Sequence, residues 1–151
     1  MRLFLGLLII AYLFTVVGCS ERIESFYETF DDAEKSGAVE KGWIPSVLPK
    51  SSVTIKEIHD LDSNNVWLCF EIKNIEDNDF LRSIEKVSSE DIKNYLPRDP
   101  KVQWWPHNLL IGQENQLNYS FYKTYENNKG LNRVLFFGKK NKEGISYCWS
   151  H

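Results

Sequence analysis

From Val66 to Ile72 the chain reads VWLCFEI, which sets Val66, Leu68, Phe70 and Ile72 on one side of an extended backbone. Successive side chains of a strand point to opposite faces, so this alternation predicts a β-strand. Residues 117–125 repeat it with Leu117, Tyr119 and Phe121 on one face, and residues 131–137 (LNRVLFF) and 145–149 (ISYCW) read as further strands. Residues 53–58 alternate more weakly. Between 53–58 and 66–72 lies Asp60-Leu61-Asp62-Ser63-Asn64-Asn65, a run whose Asx side chains bond their own backbone in turns. Residues 53–72 therefore predict a β-hairpin and 117–149 a meander, with turns at 127–130 and 138–144.

Helical spacing is expected in three places. Ile23, Phe26, Tyr27, Phe30 and Ala33 recur at i, i+3, i+4 and i+7, one stripe of an amphipathic helix over 21–36 that Gly37 would end. Phe80, Leu81, Ile84 and Val87 predict a second helix over 78–87 behind Asp77 or Asp79, and Ser88 caps a short third one that must stop near Pro97. Two prolines at 45 and 49, and three within 97–108, keep those stretches irregular. Strands in two consecutive groups with helices before and between them indicate α+β: a single antiparallel sheet of about five strands, with the N-terminal helix packed on one face.

The first 19 residues stand apart from this pattern. Met1-Arg2 is a short positive segment, residues 3–17 form an uncharged apolar run, and Val16-Val17-Gly18-Cys19 closes it. That is the arrangement of a secretory signal, and the run is shorter than the ~20 residues that span a bilayer. Its ending resembles a bacterial lipobox. The resemblance implies cleavage after Gly18, a signal peptide over 1–18 and a single domain over 19–151. It also implies acylation of Cys19, which would partner the protein with the membrane through its lipid. Several acyl chains on one cysteine anchor stably where a single chain binds marginally. Ser20 at the following position implies transfer to the outer membrane, facing the periplasm, if the source is diderm. The first helix would begin about four residues after Cys19, so the domain should lie close to the bilayer.

The net charge is −3, and removal of Arg2 with the leader takes it to −4. This argues against nucleic-acid binding, which relies on clustered Lys and Arg. An aromatic content of 14% rules out intrinsic disorder. Cys69 and Cys148 remain after processing. They either pair, closing a loop worth ~4 kcal/mol in the chain-entropy model, or stand as separate buried thiols.

Chemistry-bearing residues concentrate in Glu57-Ile58-His59-Asp60-Leu61-Asp62-Ser63-Asn64. With Asp60 as position 1, Asp62, Asn64 and Glu71 fall at 3, 5 and 12 of an EF-hand pattern, but Asn65 occupies the place of the required glycine and the flanks read as strands. A hydrogen-bonded hairpin turn is the expectation, beside a surface Ca²⁺ site or a catalytic use of His59 with Asp60 or Asp62. His59, His107 and His151 are not at metal-ligand spacing, and no cofactor motif is present. The second concentration is aromatic. Trp104 and Trp105 are adjacent, so both cannot easily face one interior; with Trp43 and His107 they mark a candidate binding surface.

The segments Gly42-Trp43-Ile44-Pro45-x-x-Leu48-Pro49-x-Ser51, Ile55-x-Glu57-x-His59-Asp60-Leu61-Asp62-x-Asn64 and Trp104-Trp105-Pro106 resemble a group of small, uncharacterised bacterial lipoproteins. The resemblance implies an intact lipid-anchored domain and carries no activity. The expected function is a non-enzymatic, envelope-associated binding module for an unknown protein or small ligand. The alternatives are a small hydrolase or metal-dependent enzyme using His59, Asp60 and Asp62, and an inhibitor or immunity-type lipoprotein.

Overall fold

A computed structural model describes residues 22–73, 80, 83–113, 118–128, 131–141 and 144–150. The expected signal peptide and Cys19 lie outside the described residues. The strands are β1 (Arg22–Thr29), β2 (Ser52–Asp60), β3 (Val66–Ile72), β4 (Glu85–Val87), β5 (Tyr119–Asn128), β6 (Leu131–Lys140) and β7 (Ile145–Ser150). Among the described residues the short helices α1 (Phe30–Lys35) and α2 (Ser89–Ile92), helical residues at Phe80 and Ser83, and 3₁₀ turns at Lys93–Tyr95 and His107–Leu109 accompany the strands. Among the described residues no helix is long and apolar enough to cross a membrane.

All seven strands form one antiparallel sheet in the order β1-β2-β3-β7-β6-β5-β4. This corrects the expected α+β architecture of about five strands with a helix over 21–36. Residues 22–29 are an edge strand paired with β2, and only residues 30–35 are helical. The helical spacing of Ile23, Phe26 and Tyr27 misleads because the outer side of an edge strand need not be apolar in alternation; Phe26 remains 57% exposed. The true helix start is marked by Thr29, whose hydroxyl accepts from the Asp32 amide while the Asp32 carboxylate accepts from the Thr29 amide. Of the expected helix over 78–87, Phe80 and Ser83 are helical, residues 78, 79, 81 and 82 lie outside the described residues, and the chain turns extended as β4 at 85–87.

Both faces of the sheet are covered. In one cross-strand row Glu57, Leu68, Cys148, Phe137 and Tyr122 follow one another on the first face; in the next, Ile58, Trp67, Trp149, Phe136 and Lys123 share the second. α1 and the loop 38–48 cover the first face with Phe30, Ala33, Ala38, Ile44 and Leu48, packed on Val66, Leu68, Phe70, Leu135 and Phe137. The irregular segment 92–110 covers the second with Ile92, Leu96, Trp105, Leu109 and Leu110, packed on Trp67, Phe121, Phe136, Tyr147 and Trp149. The Trp149 indole N–H donates to the Tyr95 carbonyl at 2.7 Å and fixes this segment on the sheet. Gly138 lets it approach closely: a Cβ there would meet Leu109 at 3.5 Å and Phe121 at 3.4 Å.

Candidate functional site

Two polar arrangements stand out, one on each face. On the first, a bulge in β2 opposes three steps of β2 (Val53 to Lys56) to two of β3 (Glu71 to Cys69), with Thr54 at φ +54°. The bulge turns Ile55, Glu57 and His59 inward together. Glu57 is 0% and His59 2% exposed, and His59 Nδ1 lies 2.6 Å from Glu57 Oε1. Burial pushes the Glu57 carboxyl up to about 8, partly offset by the Ser25 hydroxyl. Burial, helped by the Lys41 ammonium, holds His59 below its usual value. Both shifts favour the uncharged forms, a carboxylic acid beside a neutral imidazole.

Trp43 stacks on His59 at 4.1 Å, and Lys41 Nζ sits 4.4 Å from the Trp43 ring. Beside them a second pair, Glu126 and Arg133, is buried. Arg133 Nη2 and Nε donate to Glu126 Oε2 at 2.7 and 2.9 Å, and Nη2 also to the Gly42 carbonyl. Glu126 Oε1 accepts from the amide and hydroxyl of Ser46. The cavity these groups enclose, about 40 Å³, holds a water or two rather than a substrate.

The second arrangement is open. Where β1 begins and β3 ends its hairpin with β2, a groove of about 460 Å³ is lined by Arg22, Asp60, Trp67, Tyr95, Arg98 and Ile111. Arg22 Nε donates to Asp60 Oδ2 at 3.1 Å, and its guanidinium lies 6.0 Å from the Trp67 ring. Asp60 Oδ1 accepts the turn amides of Asp62 and Ser63. The Ser63 amide above all, with Arg22 and the Ser63 hydroxyl, holds the Asp60 carboxyl below the usual range. Asn94 and Tyr95 divide this groove from a second hollow of about 420 Å³ between β4, β5 and α2, where Lys123 and Glu85 pair at 3.1 Å.

The structure disperses the residues singled out by the sequence. His59 and Asp60 both line the small cavity beside Trp43, but the Asp60 carboxylate is taken by Arg22 and Asp62 is exposed at the hairpin tip, so the three do not converge. Glu71 sits in β3 opposite Val53, six residues or ~20 Å beyond the turn, and cannot complete an EF-hand. Trp43 packs on the first face and Trp104 and Trp105 on the second, so they share no groove. Trp105 is buried against Tyr147 and Trp149, Trp104 donates to Glu24 at 2.6 Å, and His107 is exposed in a 3₁₀ turn. Cys69 and Cys148 are free and lie on opposite faces, so no disulfide joins them; burial raises both thiols and keeps them unreactive.

Sequence reasoning missed the partners. Glu57 lies two residues from His59 and therefore on the same side of a strand, a signal the period of two contains. Arg22, Arg98 and the Glu126–Arg133 pair carry no local signal; topology alone brings them together.

Residues 21–71 match the YbbD head domain, a bacterial family, and the match spans β1, α1, β2 and nearly all of β3. It includes Glu57, His59, Arg22, Asp60 and Trp67 and stops short of Arg98. A second likeness is to Protein LTV1 homolog of Xenopus laevis, 27% identical over 103 residues and covering 66% of this chain. The chain spans 22% of that relative's length. No solved structure matches.

Proposed function

We propose that the chain is a bacterial envelope lipoprotein, a non-enzymatic binding module held at the membrane surface by acyl chains on Cys19 and presenting the Arg22 groove to its ligand. The observation that carries this is the position of Arg22. It opens the first strand, lines the open groove beside the hairpin, and follows Cys19 by three residues. Three residues reach at most ~11 Å, so an acylated Cys19 would hold the groove next to the bilayer. The segment Val16-Val17-Gly18-Cys19 supports the anchor, and the family match over 21–71 supports a bacterial source. Support for a binding role over catalysis comes from the groove's chemistry: Asp60 is occupied by Arg22, two turn amides and the Ser63 hydroxyl, which hold its carboxyl low and suit it to anchoring Arg22 rather than to taking a proton. Ser20 favours an outer-membrane location facing the periplasm in a diderm cell.

Mass spectrometry of the purified protein tests the anchor. The expected mature N-terminus is Cys19 bearing a diacylglyceryl thioether, and Cys19→Ser should leave the membrane fraction without acylated protein. A free thiol at Cys19, or cleavage elsewhere, would overturn the proposal.

A further inference from the structure

Resting on that anchor, we infer that the Arg22–Arg98 groove binds the phosphodiester headgroup of an anionic phospholipid in the same leaflet. The charge balance favours an anion. Two guanidiniums line the groove against one carboxylate, in a protein of net charge −3. Arg22 spends its Nε on Asp60 and makes only a 3.4 Å contact from Nη1 to the Pro100 carbonyl. Arg98 is exposed and has no ion-pair partner among the described residues. A guanidinium presents a planar fork of donors that matches a phosphate bidentately.

The rest of the lining is amphiphilic. Trp67 and Tyr95 supply aromatic faces, and Ile111 at the rim is 58% exposed. Apolar surface beside paired arginines suits the glycerol and first methylenes of a lipid, which a free phosphate would leave uncovered. The Trp67 indole N–H, buried in the groove wall, has no partner among the described residues. Finally, a tether of at most ~11 Å keeps lipid headgroups at high effective concentration around the groove. The first face offers no counterpart, since its arginine is locked in the Glu126 pair.

The experiment is calorimetric titration of the purified acylated protein in nonionic detergent. Dihexanoylphosphatidylglycerol, dihexanoylphosphatidylcholine and inorganic phosphate are compared, with wild type and Arg98→Glu. The phosphatidylglycerol should bind saturably and weaken about tenfold or more in Arg98→Glu, while the other two bind at least about tenfold more weakly than it does. Equal binding of the phosphatidylcholine overturns the anion site. Phosphate as tight as the phosphatidylglycerol overturns the lipid source. Unchanged binding by a folded Arg98→Glu overturns the groove, and Arg98→Gln gives the same decision should the glutamate variant not fold. The intact mass of the same preparation separates this from the anchor: acylated Cys19 without lipid binding sinks only the headgroup site. Unacylated Cys19 with selective binding supports that site and sinks the anchor.

Discussion

The two faces of the sheet are closed by different means. The loop 42–46 is held on the first face by polar locks: Arg133 to Gly42, Glu126 to Ser46, and Trp43 stacked on the buried Glu57–His59 pair. The segment 92–110 is held on the second by aromatic packing and two indole hydrogen bonds, Trp149 to Tyr95 and Trp104 to Glu24, and it leaves grooves on either side of Tyr95. Buried ion pairs demand near-complete satisfaction and so leave little space, whereas an irregular segment laid over aromatics leaves hollows at its edges. The first face is accordingly closed by its polar locks, and the second is the face that carries the proposed binding groove.

The most damaging way to break this contrast is Arg133→Met, which strands the Glu126 carboxylate in the core. It should cost about 3–5 kcal/mol in urea unfolding, and the double variant Glu126→Gln with Arg133→Met should recover most of that. The loss should appear as opening of the first face, with the second-face groove still able to bind.

The next effect is pH-dependent. Glu57 is raised from 4.5 to about 8, so its contribution to stability is complete below about pH 4.5 and is lost as pH climbs through 8. His59 has the opposite sign: its value is lowered from 6.5, so its contribution is complete above pH 6.5 and is lost as pH falls below it. Between pH 6.5 and 8 Glu57 therefore dominates. Wild type should lose up to about 1.4 kcal/mol per pH unit there relative to Glu57→Gln, measured by chemical unfolding at stepped pH. Parallel curves would show that Glu57 does not titrate in the fold.

On the second face Trp149→Phe keeps the aromatic packing and removes the donor to Tyr95. A loss of about 1–2 kcal/mol is expected, with faster hydrogen exchange confined to 92–98. The smallest effect, about 1 kcal/mol, should follow Thr29→Ala, which removes the cap of α1 and loosens only the first face.

How far the fold is legible from sequence follows the same division. β3, β5, β6 and β7 announce themselves because the central strands are packed with large apolar residues at a period of two, as in Leu68, Phe70, Leu135 and Phe137. β2 alternates weakly because a bulge at Thr54 shifts its parity and because Glu57 and His59 occupy inward positions. β1 is misread as helix because an edge strand tolerates exposed Ile23 and Phe26, whose spacing to Phe30 mimics a helical stripe. The groove is not legible, since Arg22, Trp67 and Arg98 meet only once β1 has paired with β2 and the segment 92–110 has crossed the sheet. The proposed acylation of Cys19 is the reverse case: that reading rests on four consecutive residues, Val16-Val17-Gly18-Cys19, and on nothing the fold brings together.

Hydrogen–deuterium exchange of the acylated protein, on phosphatidylglycerol-containing bilayers and in nonionic detergent, compares the two faces directly. The bilayer should slow exchange in the hairpin turn 61–65 and in 94–98 around the groove, and leave the loop 42–46 unchanged. Slowing at 42–46 with none at 61–65 and 94–98, or no difference anywhere, would contradict a groove turned to the membrane.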